Sequence, residues 1–152
     1  RAEIPDAAIR TSIIVGFPGE TQEEFEDLCE FVKEIRFERM GVFAYSREED
    51  TPAYDFENQI DEDEKMRRRD LLMLIQSDIA QEQNSAKIGT KIRVLTEDKD
   101  EIIKSYFGRT YADSEEVDGK VFFKSDRVIQ SGEFVEVEVE QAMEYDLFGK
   151  EI

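Results

Sequence analysis

The chain has 152 residues, of which 39% are hydrophobic, and it carries a formal net charge of −18 at pH 7. This length suits one ordinary domain or two small ones. No stretch approaches the roughly 18 consecutive apolar residues of a membrane span, and the N-terminus has no signal-peptide pattern. Because the chain has no histidine and only one cysteine, Cys29, it can form neither an internal disulfide nor a cluster held by several cysteines. Any metal site would have to be built from carboxylates, and we name no metal ligand in these residues. We expect a cytoplasmic protein with no membrane contact.

Both halves of the chain are acidic. Residues 1–86 carry 22 acidic and 10 basic residues, a charge of −12, and residues 87–152 carry 16 and 10, a charge of −6. Such a surface repels phosphate backbones and attracts basic partners. A solubilising role with no partner is the alternative, and the charge alone does not decide between them.

The first predicted element is a strand, "TSIIVGF", whose apolar, β-branched residues are typical of a strand buried on both faces. Pro18-Gly19 predicts a turn. Thr21 stands three residues before Glu24, which predicts a capping box at the start of a helix. The apolar residues that follow have helical spacing: Phe25, Leu28, Val32 and Ile35.

A second buried strand is predicted at Met40–Ser46, "MGVFAYS". Strand, helix and strand together form a βαβ unit with a parallel pair. Two parallel strands need neighbours on both edges, so we expect this part to belong to a larger sheet or barrel whose remainder lies upstream.

A long helix is predicted to begin at a second capping box, Asp61 with Glu64, and to end near Ala86. It carries the basic run "KMRRRD", Lys65–Asp70. This run could contact an anionic ligand or RNA. We favour a polar helix face that pairs with the acidic residues one turn away, because basic runs among acids are weak nucleic-acid footprints.

The pattern after residue 86 is that of short strands. A turn is predicted at Asp98–Asp100 and another at Asp118-Gly119. In "FVEVEVEQA" the valines Val135, Val137 and Val139 should face one way and the glutamates the other. Adjacent Phe122 and Phe123 must also face opposite sides. About five strands predict a small antiparallel β-barrel at residues 87–152, after an α/β part at residues 1–86.

The motifs of the chain, in order, resemble the C-terminal half of the radical-SAM methylthiotransferases, and within them the group that modifies a ribosomal protein. The likeness runs through "IRTSIIVGFPGETQEEFEDLCEFV", "GVFAYSREEDTPAY", "GRTYADSEEVDGKVFF" and "GEFVEVEVEQAMEYDLFG". The resemblance implies the C-terminal part of a partial βα barrel, TIM-like, followed by a five-stranded, OB-like TRAM barrel.

The resemblance also implies a cofactor site. Family members bind S-adenosylmethionine beside a 4Fe–4S cluster, use a radical to activate a C–H bond, and carry a second 4Fe–4S cluster. The cysteines of both clusters are absent from this chain, so the fragment should be inactive alone. The residues expected to contact S-adenosylmethionine lie at the ends of the two strands: Ile14, Val15, Gly16, Phe17, Phe43, Ala44 and Tyr45. From the residues alone, a buried strand followed by a turn is the alternative.

By the same resemblance, the substrate is a basic protein, the twelfth small-subunit ribosomal protein, modified on an aspartate. The TRAM module is expected to dock it, and nucleic acid is disfavoured there by the local acidity. The expected docking residues are Tyr111, Asp113, Glu115 and Glu116. A monomer is expected. A tRNA adenosine methylthiotransferase and a non-catalytic acidic binding module are the alternatives.

Overall fold

The computed structural model describes residues 2–152, so residue 1, the start of the first predicted domain, lies outside the described residues. The chain forms two compact units, and the boundary between them lies between Ile79 and Ala80. This division lies inside a helix, before the boundary expected at residues 86 and 87. The last helical turn belongs to the second unit because Asn84 Nδ2 donates hydrogen bonds to the carbonyls of Met143 and Glu144, at 3.2 and 3.0 Å.

The first unit contains the predicted strand–helix–strand motif. Its elements are β1 (Arg10–Val15), α1 (Gln22–Ile35), β2 (Arg39–Ala44), a 3-10 turn (Pro52–Asp55) and the larger part of α2 (Glu62–Ser85). β1 and β2 are parallel, as predicted, with Ile14 opposite Phe43. The core joins one sheet face to both helices: Val15, Phe25, Cys29, Val32, Phe37, Val42, Leu72 and Ile79.

The prediction that β1 is buried on both faces is wrong for the residues described. Val15 is fully buried, whereas its neighbour Ile14 is 59% exposed. Successive side chains of a strand point to opposite faces, so the helices cover the Val15 face and the Ile14 face is open. Cys29 lies in the covered core, where burial raises the pKa of its thiol and keeps it neutral.

One of the two predicted capping boxes forms. Thr21 Oγ1 accepts the N–H of Glu24 at 3.2 Å, and a Glu24 carboxylate oxygen accepts the N–H of Thr21 at 2.8 Å. At the start of α2, Asp61 instead accepts the N–H of Asp63 at 3.0 Å. The second box does not form because arginines one turn further along bind the carboxylate of Glu64.

The second unit is a closed five-stranded barrel, as predicted. Its strands are β3 (Lys91–Asp100), β4 (Ser105–Arg109), β5 (Val121–Lys124), β6 (Phe134–Ala142) and β7 (Leu147–Glu151), in the order β3-β4-β5-β7-β6. The barrel is mixed rather than wholly antiparallel, because β5 pairs with β7 in parallel. β7 pairs with the preceding strand β6 in antiparallel orientation. Its other edge pairs with β5, and this pairing closes the barrel.

Side chains alternate across the barrel wall as expected. Val135, Val137 and Val139 are buried inside. Phe123 is buried, and the ring of Phe122 stacks outside on Phe148, with ring centroids 5.3 Å apart. The predicted separation of the two adjacent phenylalanines is confirmed.

The turn expected at Asp98–Asp100 lies further along the chain. β3 continues through Asp100, which pairs with Ser105. The Asp100 carboxylate accepts the N–H groups of Ile102 and Ile103, at 2.8 and 3.2 Å. Asp100 therefore stabilises a turn that starts after it. Within residues 2–152, neither helix is long and apolar enough to cross a membrane.

Candidate functional site

The carboxyl ends of β1 and β2 meet at one edge of the parallel pair, where ligands of α/β proteins commonly bind. Ile14 and Phe43 lie opposite each other on the open face, 59% and 57% exposed. Val15 and Ala44 form the next pair and face the other way. Ile14 and Phe43 can therefore offer side chains to a ligand on the open face, whereas Val15 can offer only its backbone.

Gly16 makes a sharp turn directly after β1. Its φ is +76°, in the left-handed region that favours glycine. A Cβ at this position would lie 2.5 Å from Cγ of Lys65, in the first turn of α2. The backbone at the end of β1 therefore approaches α2 more closely than a larger residue would allow.

A buried ion-pair network holds this turn. One oxygen of Glu20 accepts the N–H of Gly16 at 3.0 Å, and the other accepts Nη1 of Arg68 at 2.5 Å. Arg68 also donates to the carbonyl of Glu20 and, through Nε, to Glu64. The side chains of Arg68 and Glu20 are 6% and 14% exposed. Hydrogen bonds from Arg67 and Arg68 lower the pKa of Glu64 to about 2, so its carboxylate stays charged at neutral pH.

Aromatic rings line the same edge. Phe17 contacts the rings of Tyr45 and Phe56, with centroids 5.1 and 6.0 Å away. The N–H of Tyr45 donates to the carbonyl of Val15 at 2.9 Å, which continues the strand pairing. Nζ of Lys65 lies 5.3 Å from the Tyr45 ring centroid and also pairs with Glu62 at 2.5 Å. Tyr45 is thus fixed between a neighbouring ring and a cation.

Sequence reasoning missed Lys65 and Arg68 at this site. The run Lys65–Asp70 was expected on an exposed helix face, and its pairing with nearby acids is indeed present. Lys65 and Arg68, however, are 1% and 5% exposed. The signal lay in the helical spacing, because these two residues continue the stripe of the buried α2 residues Leu72, Gln76 and Ile79.

The loop after β2 encloses a polar recess of about 560 Å³. It is lined by Glu49, Asp50, Thr51, Pro52, Tyr54 and Asp55. Arg47 packs over the Tyr54 ring at 4.3 Å and donates to the Tyr54 carbonyl. Across residues 2–152, no group of three histidine, cysteine, aspartate or glutamate side chains is arranged to hold a metal ion.

The barrel carries a separate groove of about 390 Å³ on its outer surface. Its lining combines apolar, aromatic and charged side chains: Arg93, Leu95, Arg109, Thr110, Tyr111, Asp113 and Phe134. Two of the four expected docking residues, Tyr111 and Asp113, line it. Asp113 also accepts hydrogen bonds from the N–H and hydroxyl of Thr110, at 2.9 and 2.6 Å.

The other two expected docking residues lie outside the groove lining. Glu115 lies 3.7 Å from Arg109 in an ion pair. Glu116 is exposed, and its φ of +60° places it in the left-handed region. The structure therefore does not gather all four residues into one site.

Comparison with known protein families matches residues 88–152 to the TRAM domain. The chain is also similar along nearly its whole length to curated proteins named ribosomal protein uS12 methylthiotransferase RimO. It is 54% identical over 149 residues to the protein of Clostridioides difficile (strain 630), covering 98% of this chain and 33% of that protein. For the protein of Caldanaerobacter subterraneus subsp. tengcongensis, the identity is 51% over 147 residues, covering 97% and 33%.

A third relative, from Acetivibrio thermocellus, is 45% identical over 152 residues, covering all of this chain and 34% of that protein. The chain thus spans about a third of the length of the curated relatives it matches. The TRAM match begins shortly before β3 and includes the whole five-stranded barrel. The chain is therefore similar, along nearly its whole length, to about a third of the RimO-type methylthiotransferases, and its residues 88–152 match the TRAM domain.

Proposed function

We propose that this chain is part of a radical-SAM enzyme that methylthiolates an aspartate side chain of the ribosomal protein uS12, acting in the cytoplasm as a monomer. The observation that carries this proposal is the similarity along 98% of the chain to a protein named for that activity. The order of strand, helix, strand and closed barrel supports it.

The edge of β1 and β2 fits the adenosyl part of S-adenosylmethionine. Ile14 and Phe43 present an apolar surface for a flat ring, and the rings of Phe17 and Tyr45 pack on each other at the same edge of the strand pair. Gly16 allows close backbone approach, because its position has no side chain. Bound S-adenosylmethionine, beside an iron–sulfur cluster, supplies the radical chemistry that activates a C–H bond. In this proposal the chain's own residues bind and orient the cofactor, and Glu20 with Arg68 keeps the Gly16 turn rigid.

The residues of this chain do not fit an iron–sulfur cluster. Such clusters need several cysteine thiolates. Cys29, the one cysteine in the sequence, is buried in the core between α1 and the sheet. Both 4Fe–4S clusters are therefore assigned to residues beyond this chain, and we expect the chain to be inactive by itself.

The choice of a protein substrate over tRNA is supported by charge. Residues 87–152 carry a net charge of −6. Glu136, Glu138 and Glu140 point outward from β6 and are exposed. Such a surface attracts a basic ribosomal protein and repels a phosphate backbone.

The test is a binding comparison at matched salt concentrations. The 152-residue chain is titrated with purified uS12 and, separately, with unmodified tRNA, by fluorescence anisotropy. We expect saturable binding of uS12 that weakens as salt rises, and much weaker binding of tRNA. Binding of tRNA as tight as that of uS12 at the same salt would reject the assignment of a protein substrate.

A further inference from the structure

The outer groove of the barrel is built on one row of side chains across three strands. Leu95 on β3 pairs in register with Arg109 on β4 and with Phe134 on β6. The neighbours Val94 and Val135 are buried inside the barrel. By alternation, the row faces outward. Phe134 is 55% exposed, and Tyr111 on the adjoining loop is 78% exposed. The groove therefore has an apolar floor and exposed aromatic walls.

The two arginines of the groove differ in their partners. Arg109 is paired with Glu97 and Glu115. Arg93 lies over the Phe134 ring, 4.3 Å from its centroid, and no carboxylate among residues 2–152 lies within ion-pair distance of it. Stacking on a ring holds a guanidinium flat and leaves its N–H edge available. Arg93 is thus a positioned cation that lies opposite Glu136 of β6 in register but forms no ion pair with it in the part of the chain that the structure describes.

We propose that this groove binds an extended peptide segment of a protein partner, in which an aspartate or glutamate adjoins a large apolar residue. The carboxylate pairs with Arg93, and the apolar side chain lies on Leu95 between Tyr111 and Phe134. A guanidinium binds a carboxylate through two parallel hydrogen bonds, which gives both strength and direction. The inference rests on the proposed docking role of the TRAM module and names the chemical group that the module recognises.

Two features favour a peptide carboxylate over a nucleic acid. Acidic side chains surround the groove, with Asp113 in its lining and Glu115 beside Arg109. These side chains oppose a single carboxylate much less than a chain of phosphates, because the repulsion grows with the number of negative charges. The barrel is also closed, so a peptide cannot add as a further strand and must be read through its side chains.

The test uses the isotope-labelled 152-residue chain and two blocked peptides, acetyl-Gly-Phe-Asp-Gly-amide and its Asn counterpart. We expect NMR shifts at Arg93, Tyr111 and Phe134 with the Asp peptide, and about tenfold weaker binding of the Asn peptide, because it loses the charge-assisted pair. Arg93→Gln should weaken the Asp peptide about tenfold as well. Lys124→Gln is the matched control, since Lys124 is exposed on β5 outside the groove, and it should leave binding unchanged.

Equal binding of the two peptides, or unchanged binding by the Arg93→Gln variant, would overturn the inference. Tighter binding of a short oligouridylate than of the Asp peptide at the same groove would also overturn it. Methylthiolation of uS12 by the full-length protein is measured independently. Failure of the unsubstituted chain to bind the Asp peptide, with methylthiolation by the full-length protein intact, would therefore reject the peptide groove alone and leave the proposed function standing.

Discussion

Gly16 is the residue at which backbone geometry and the candidate cofactor site meet. Its positive φ and the approach of Lys65 both exclude a side chain. The sequence motif "GFPGE" indicates a turn, but it does not reveal that the neighbour across the turn is a lysine of a helix some fifty positions away in the sequence. The requirement for glycine here is thus partly local and partly a consequence of tertiary packing.

Gly16→Ala should lower the free energy of unfolding by about 3 kcal/mol, because backbone strain and a clash with Lys65 add together. Gly19→Ala is the matched control. Gly19 also has a positive φ, +89°, but a Cβ there would meet no atom within 4 Å. Gly19→Ala should therefore lower the free energy of unfolding by about 1 kcal/mol, from backbone strain alone. Urea unfolding of both variants measures the difference, and equal losses would show that Lys65 does not restrict this position.

At the scale of elements, α2 is the helix whose buried face differs most from the one expected from the sequence. Its extent was readable from the sequence, and the pairing of its arginines with nearby acids was expected. The burial of Lys65 and Arg68 was not expected. A hydrophobicity pattern assigns charged residues to the exposed face of a helix, even where their spacing continues the buried face. The stripe through Lys65, Arg68 and Leu72 identifies the buried face once it is traced at helical spacing.

Arg68→Met should destabilise the first unit by about 2 kcal/mol, because it leaves Glu20, whose side chain is only 14% exposed, without its counterion. Arg67→Met provides the control from the same helical turn. Arg67 also binds Glu64, but its side chain is 51% exposed, so its loss should cost less than about 1 kcal/mol. Chemical denaturation at low and high salt distinguishes the two. A loss for Arg68→Met no larger than that for Arg67→Met would mean that the Glu20 network does not stabilise the turn.

The side-chain facing of β6 could be predicted from the sequence, whereas the end of β3 and the pairing of β5 with β7 could not. The sequence of β6 alternates without interruption, so the prediction that its three valines share one face followed directly from the period of two. The end of β3 was misplaced because "EDKDE" contains several turn-forming residues, and only hydrogen bonding shows that Asp100 is the one that caps the turn. The parallel pairing of β5 with β7 depends on barrel closure, which local patterns do not encode.

At the scale of the whole molecule, the division into an α/β unit and a β-barrel was predictable from the change of pattern after α2. Of the residues proposed to contact the cofactor, Ile14 and Phe43 lie side by side on the open face, and the side chain of Val15 faces away from it. The expected docking residues are only partly assembled, since Glu115 is engaged with Arg109. An ion pair between a strand residue and a loop residue six positions later has no periodic signature in a single sequence, and for that reason Glu115 was expected to be a docking residue.

The most direct test of the proposed function is the product formed by the full-length protein with both clusters reconstituted. It is incubated with S-adenosylmethionine, a sulfur source, a reductant and a mixture of unmodified uS12 and unmodified tRNA, and both substrates are then analysed by mass spectrometry. We predict a methylthio group on one aspartate of uS12 and none on tRNA. A methylthio group on a tRNA adenosine, or on neither substrate, would contradict the assignment.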